Sequence, residues 1–62
     1  MGPVTKLKQR RQVMGLKQWE VAKQANITTR NYQYYEAGKR TPNAVRAKLI
    51  ARILNSTVEE LF

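Results

Sequence analysis

Apolar residues recur at helical spacing along almost the whole chain, and no stretch alternates as a half-buried strand does. From Val4, the positions Val4, Leu7, Met14 and Leu16, with Arg10 and Arg11 between them, describe a basic amphipathic helix that ends near Met14. Gly15 then supplies the left-handed residue that helix ends favour. Lys17 to Ala25 carries apolar residues at Trp19, Val21, Ala22 and Ala25 with Gln18, Glu20, Lys23 and Gln24 between, a period of about 3.6 that predicts a second helix. Lys17 is a poor cap, but Glu20 in the first turn meets the positive end of the helix dipole. Asn26 stops this helix because asparagine tolerates the left-handed conformation, and Ile27 follows as an apolar plug. Thr28 can cap a third helix by accepting from a backbone N–H in the first turn, and Thr29 to Ala37 contains no proline or glycine to break it.

Gly38 interrupts the pattern, and Lys39, Arg40, Thr41, Pro42 and Asn43 form a basic loop whose last residue is a good N-cap. The fourth helix, Ala44 to Leu54, is apolar on two sides. Ala44, Ala47, Ile50, Ala51 and Leu54 make a core stripe, while Val45, Leu49 and Ile53 make a second at i, i+4 and i+8. Asn55 ends it in the left-handed region, and Thr57-Val58-Glu59-Glu60 reads as a capping box that opens a last turn burying Val58, Leu61 and Phe62. The pattern predicts an all-α bundle of five short helices forming one domain over residues 1–62, without repeats or an internal linker. Met1, Gly2 and Pro3 read as a start and a loose, disordered extension outside the fold.

The third helix carries the functional signal. At about 100° per residue, Tyr32, Tyr35 and the Thr28 end face Val21 and Ala22, while Thr29, Arg30, Gln33 and Tyr34 project outward. A hydroxyl, a guanidinium fork, a carboxamide and a phenol are groups that can read base edges in a major groove. The same face could equally be merely solvated, and the rest of the chain must decide. Charge goes some way toward this: 12 Lys and Arg stand against 4 Asp and Glu among 62 residues, a net charge of +8 that seeks polyanions.

The same composition excludes other chemistry. Without cysteine or histidine there is no disulfide, zinc finger, thiol or imidazole chemistry, and no metal or cofactor is expected. Four glutamates and one serine make no nucleophile and base pair, so no catalytic residue is assigned and an enzyme is not expected. No apolar run approaches the roughly 20 residues that span a bilayer, no signal-peptide core is present, and no membrane partner is expected. The absence of cysteine fits a cytoplasmic setting.

These segments together resemble a known family. LKQRRQVMGL, then KQWEVA in the place of the family's S-Q-x-E-L-A, then ITTRNYQYYEAGKRTPN, then LIARILN with TVEELF, are similar in order and spacing to the Cro and C1-repressor type of helix-turn-helix domain, the XRE-like family of bacteria and phages. The resemblance spans Val4 to Phe62. It implies a compact lambda-repressor-like bundle in which the second and third helices form the helix-turn-helix. It also implies binding to operator DNA, commonly by two-fold dimers, in the bacterial or phage-infected cytoplasm and in association with the nucleoid.

Carried over residue by residue, the resemblance makes Gln18 a phosphate contact at the start of the second helix. It places Thr29, Arg30 and Tyr34 where the family reads bases, with Gln33 between them on the same face. Arg30 is the first choice for reading, since its fork matches O6 and N7 of guanine. Lys39, Arg40 and Asn43 take DNA-backbone roles, Thr28 as cap could touch phosphate or a base edge, and Arg11 and Glu36 occupy the places of a structural ion pair between the first and third helices. Several positions depart from the family pattern. Lys17 replaces Ser or Thr, Asn26 replaces a common glycine, and Arg10 stands where an aliphatic residue is frequent, so its stem would cover apolar surface. Trp19 replaces a polar residue and reads as packing on a neighbouring helix with some exposure, or else as a backbone contact. Tyr34 is bulky for a reading position and could stack on sugar and phosphate.

The expected partner is therefore double-stranded DNA with an inverted-repeat operator, bound by a regulator acting as a repressor. A homodimer is expected at least on DNA, with Val45, Leu49 and Ile53 as the candidate contact. No small-molecule ligand is expected. The competing reading is an antitoxin or adaptor that uses this fold to hold a protein through Trp19, the tyrosines or the Val45 stripe.

Overall fold

The structure, a computed structural model, describes residues 5–62. Among these, five helices and no strand occur: α1 (Lys6–Val13), α2 (Gln18–Gln24), α3 (Thr29–Glu36), α4 (Ala44–Ile53) and α5 (Val58–Leu61). Val4, the first apolar position of the expected first helix, and the Met1-Gly2-Pro3 extension lie outside the described residues.

Each of α1 to α4 ends in the same way. The residue after the last turn adopts a positive φ, 71° at Gly15, 58° at Asn26, 73° at Gly38 and 51° at Asn55. The next amide then reaches back five residues, as in Leu16 N to Arg11 O at 3.2 Å, Ile27 N to Ala22 O at 3.0 Å, Lys39 N to Tyr34 O at 3.0 Å and Ser56 N to Ala51 O at 2.8 Å. This closure satisfies carbonyls that a helix end otherwise leaves bare. Asn26 and Asn55 can occupy these places because a short polar side chain tolerates the left-handed region that β-branched residues avoid.

The opposite ends are capped by side chains. Thr28 Oγ1 accepts from Asn31 N at 3.1 Å and Asn43 Oδ1 from Arg46 N at 2.8 Å. Thr5, whose capping role the apolar pattern does not reveal, accepts from Lys8 N at 3.3 Å. Lys17 has no acceptor to offer the first turn of α2, but Glu20 Oε1 accepts from Lys17 N at 2.9 Å, so the acid closes the turn that the cap leaves open. Only half of the expected capping box forms at α5. Thr57 Oγ1 accepts from Glu60 N at 3.2 Å, while the Glu60 carboxylate takes the Ser56 hydroxyl at 2.8 Å.

The core is built from Leu7 of α1, Val21 and Ala22 of α2, Tyr32 and Tyr35 of α3, Ile50 and Ala51 of α4, with Ala25, Leu54 and Leu61 closing it. Fully burying one such aliphatic side chain contributes about 1.5–3 kcal/mol. The alanines let short helices approach closely, and α2 packs chiefly on α3.

Several positions differ from the sequence expectation. Trp19 is 52% exposed, because it lies about 110° around α2 from the centre of the Val21–Ala22–Ala25 arc. Met14 sits in the exposed turn after α1, and Leu16 is only partly buried, which leaves Leu7 as the fully buried residue of that helix. Ala44 is exposed in the first turn of α4, Thr28 faces solvent at its cap position, and the terminal Phe62 remains 43% exposed. The second stripe of α4 is divided: Leu49 and Ile53 pack against the core, whereas Val45 is 77% exposed.

Arg10 does more than cover apolar surface with its stem. Its Nε donates to Leu54 O and its Nη2 to Asn55 O, both at 2.8 Å, so α1 supplies a cation to the C-terminal end of α4. That tie joins residues 44 and 45 positions apart and positions the turn from which α5 starts.

Candidate nucleic-acid interface

The α2–turn–α3 unit is fixed from beneath by a buried ion pair. Arg11 Nε donates to Glu36 Oε2 at 2.6 Å and Nη2 to Oε1 at 3.3 Å, with the two side chains 12% and 4% exposed. Arg11 Nη1 also donates to Leu16 O at 2.9 Å, so one guanidinium holds the end of α3 and the α1–α2 turn together. Burial opposes ionisation of Glu36, but hydrogen bonds from Arg11 and Gln18 outweigh it and hold the carboxyl below its ordinary range. The hydrogen bond to Glu36 moves Arg11 the other way, upward. The Tyr32 hydroxyl is buried near both charges without a hydrogen bond of ordinary geometry, and burial first, then Glu36, pushes its ionisation upward. It remains a neutral phenol.

Outward of this pair, Tyr32 and Tyr35 are buried, whereas Arg30 and Gln33 are exposed and Thr29 and Tyr34 are half-buried. The helix period thus presents Thr29, Arg30, Gln33 and Tyr34 on one surface. Two of them are tethered. Arg30 Nε donates to Tyr34 Oη at 3.2 Å, one helical turn along, which leaves the Nη1 and Nη2 end of the fork unengaged by that bond. Gln33 Nε2 donates to Gln18 Oε1 at 3.1 Å, and Gln18 Nε2 donates to Glu36 Oε1 at 3.0 Å.

The flanks are cationic. Lys39 and Arg40 are exposed on the loop that leaves α3. The Arg40 guanidinium lies over the Tyr34 ring, 5.0 Å from its centroid, and its Nη1 donates to Asn31 Oδ1 at 3.4 Å. Tyr34 therefore meets Arg30 with its hydroxyl and Arg40 with its ring face. Thr28 and Asn43 use oxygen acceptors for capping, which leaves a hydroxyl hydrogen on Thr28 and the amide NH₂ of Asn43 as donors to an anion. The sequence does not single out Asn31, and for Arg10 it points only to a stem covering apolar surface. Their partners lie 9 and 44 or more residues away, and no local pattern announces such pairings.

Among the described residues no cluster of potential metal ligands occurs, and no helix is long and apolar enough to cross a membrane. An open groove of about 590 Å³ is lined by α4, α5 and the turn between them and by no residue of α3.

A family model described as helix-turn-helix matches residues 7–61, and the chain belongs to that family, the Cro and C1-repressor type. Membership makes it a DNA-binding helix-turn-helix regulator. No curated protein and no solved structure matches it significantly.

Proposed function

We propose that this protein is a transcriptional repressor that lays α3 in the major groove of duplex DNA and reads bases with Thr29, Arg30, Gln33 and Tyr34. The observation that carries this reading is the outer face of α3, which presents donors and acceptors with its one carboxylate, Glu36, turned inward and paired with Arg11. Gln18, Thr28, Lys39, Arg40 and Asn43 border that face and take phosphates, which orient the domain without reading sequence. A deep A-form groove does not admit a helix, so duplex DNA is favoured over RNA. The site of action is the cytoplasm, on the nucleoid. Selection of bound sites from random duplexes tests the reading. A defined motif of a few base pairs is expected, and enrichment of no sequence would overturn it.

The phosphate contacts make binding steeply salt-dependent. Lys39→Ala should weaken all sequences similarly and lower the log–log salt slope by about 0.9. An unchanged slope would remove Lys39 from the footprint.

Pairing on DNA follows from the same reading. Two copies related by a two-fold axis place their α3 helices roughly 34 Å apart on an inverted repeat. The exposed Val45 supports a contact along α4, with Leu49 and Ile53 contributing the part of their surface that the core leaves open. A charge of +8 per chain opposes pairing in solution, and DNA neutralises it. Sedimentation should show two copies on a two-half-site duplex, and one copy at saturation would sink the dimer. Leu49→Lys should abolish cooperative filling and spare half-site binding. Because Leu49 also touches the core, loss of folding in that variant would move the contact elsewhere, to the exposed Phe62 end.

The antitoxin or adaptor alternative draws less support from this surface. Tyr32 and Tyr35 are internal, so of the tyrosines only Tyr34 reaches solvent in part, and Trp19 and Val45 sit on different helices.

A further inference from the structure

The hydrogen bonds that lead out from the buried ion pair have a direction, and the direction ends on the surface of α3. Glu36 is ionised and can only accept. The Gln18 atom 3.0 Å from Glu36 Oε1 must then be its NH₂ group, which turns the Gln18 carbonyl oxygen toward Gln33. That oxygen also can only accept. The Gln33 atom 3.1 Å from it must be NH₂ in turn, and the Gln33 carbonyl is the end left over for a ligand. A terminal amide is ordinarily free to present either end, because rotation by half a turn exchanges oxygen and nitrogen at little cost. Here a carboxylate two links away removes that freedom.

We propose that Glu36, acting through Gln18, is a positioning residue for base recognition: it fixes Gln33 with its carbonyl oxygen outward, so that Gln33 selects adenine. The inference rests on α3 being the reading helix. An outward oxygen accepts from the N6 amino group of adenine, and the second Gln33 N–H is available to N7. The same oxygen meets O6 of guanine or O4 of thymine as acceptor against acceptor. Glu36 thereby has a second role besides holding Arg11, and Gln18 becomes a relay whose phosphate contact is a separate matter.

The test compares base preference, measured on a panel of duplexes, with melting temperature. The position read by Gln33 is the one at which Gln33→Met erases discrimination. There, the wild type should favour adenine over guanine by about tenfold or more, within the range a two-point amide contact supplies. Gln18→Met keeps the stem and removes the amide. It should melt close to the wild type yet reduce the adenine preference to about threefold or less, and adding Gln33→Met should reduce it little further, as expected of residues acting in series. A second route avoids leaving one buried charge alone: Arg11→Met combined with Glu36→Met replaces the ion pair by apolar side chains of similar size, an exchange that domains often tolerate. It should fold and show the same loss of adenine preference with Gln18 intact.

A Gln18→Met variant that weakens every sequence equally with adenine preference unchanged would overturn the proposal, as would a wild-type preference for guanine at the Gln33 position. Discrimination at the Arg30 base pair alongside indifference at the Gln33 pair would overturn this proposal alone. Indifference at every pair would overturn the reading of α3 itself.

Discussion

Glu36→Ala should lower the melting temperature by roughly 12–40 °C, the loss expected when a buried guanidinium is stripped of its carboxylate at about 3–5 kcal/mol and a domain of this size shifts about 4–8 °C per kcal/mol. The side chain of Glu36 is only 4% exposed, so water cannot readily replace it beside Arg11. A chain of 62 residues has a total stability of roughly 3–9 kcal/mol, and the variant is expected to be partly unfolded at growth temperature. DNA binding should fall with the folded fraction, and the molecules that remain folded should in addition lose adenine preference at the Gln33 position. Unchanged melting together with weaker DNA binding would show that the pair is no scaffold.

The same pair sets an acid limit. The folded-state pKa of Glu36 lies below its ordinary value of 4.5, so the carboxylate contributes its full stabilisation above that value and loses it as pH falls through the folded pKa. Arg11, shifted upward, stays charged throughout and contributes nothing to the slope. Melts between neutral pH and about pH 3 should therefore drop more steeply for the wild type than for Glu36→Gln. Parallel curves would mean that other acids control the transition.

Arg30→Ala should cost roughly 1–3 kcal/mol at one half-site and twice that, about 2–6 kcal/mol, on a two-half-site duplex. Its Nε is held by Tyr34 Oη, which leaves the two terminal nitrogens of the fork out of that bond, the edge that fits O6 and N7 of guanine. The loss should be confined to sites with guanine at one base pair per half-site, where preference among the four bases should flatten. Titration of a small duplex panel would decide the matter, since equal weakening of every sequence would make Arg30 a phosphate contact.

How much of this was readable beforehand follows from the range of each interaction. The helices and their stops were legible because both are local: a period of about 3.6 shows in any two turns, and Gly15, Asn26, Gly38 and Asn55 each end a helix through their own φ. The inward turn of Tyr32 and Tyr35 followed from the same period. Exposure at the margins did not. Trp19, Ala44 and Phe62 are apolar residues on the flanks or ends of short helices, and whether a neighbour covers them depends on packing that no local pattern encodes. The Arg11 and Glu36 positions were singled out by family resemblance, since their separation of 25 residues carries no period. The links from Gln18 to Gln33 and from Arg10 to the end of α4 had no sequence signal, because they join ordinary surface residue types across the fold.

The tethers on α3 bear on how such a domain could acquire a new target. With Tyr32 and Tyr35 turned inward, its outer side chains can be exchanged with little cost to folding, which suggests an alphabet of independently replaceable letters. The hydrogen bonds contradict that picture. Arg30 shares a bond with Tyr34, Gln33 with Gln18, and Arg40 stacks on the same Tyr34 ring, so the units of change are groups of neighbours. Substitutions within a group are coupled and non-additive, whereas substitutions in different groups combine more freely. A retargeting library that varies Arg30 together with Tyr34, and Gln33 together with Gln18, would search combinations that a position-by-position walk meets only through defective intermediates.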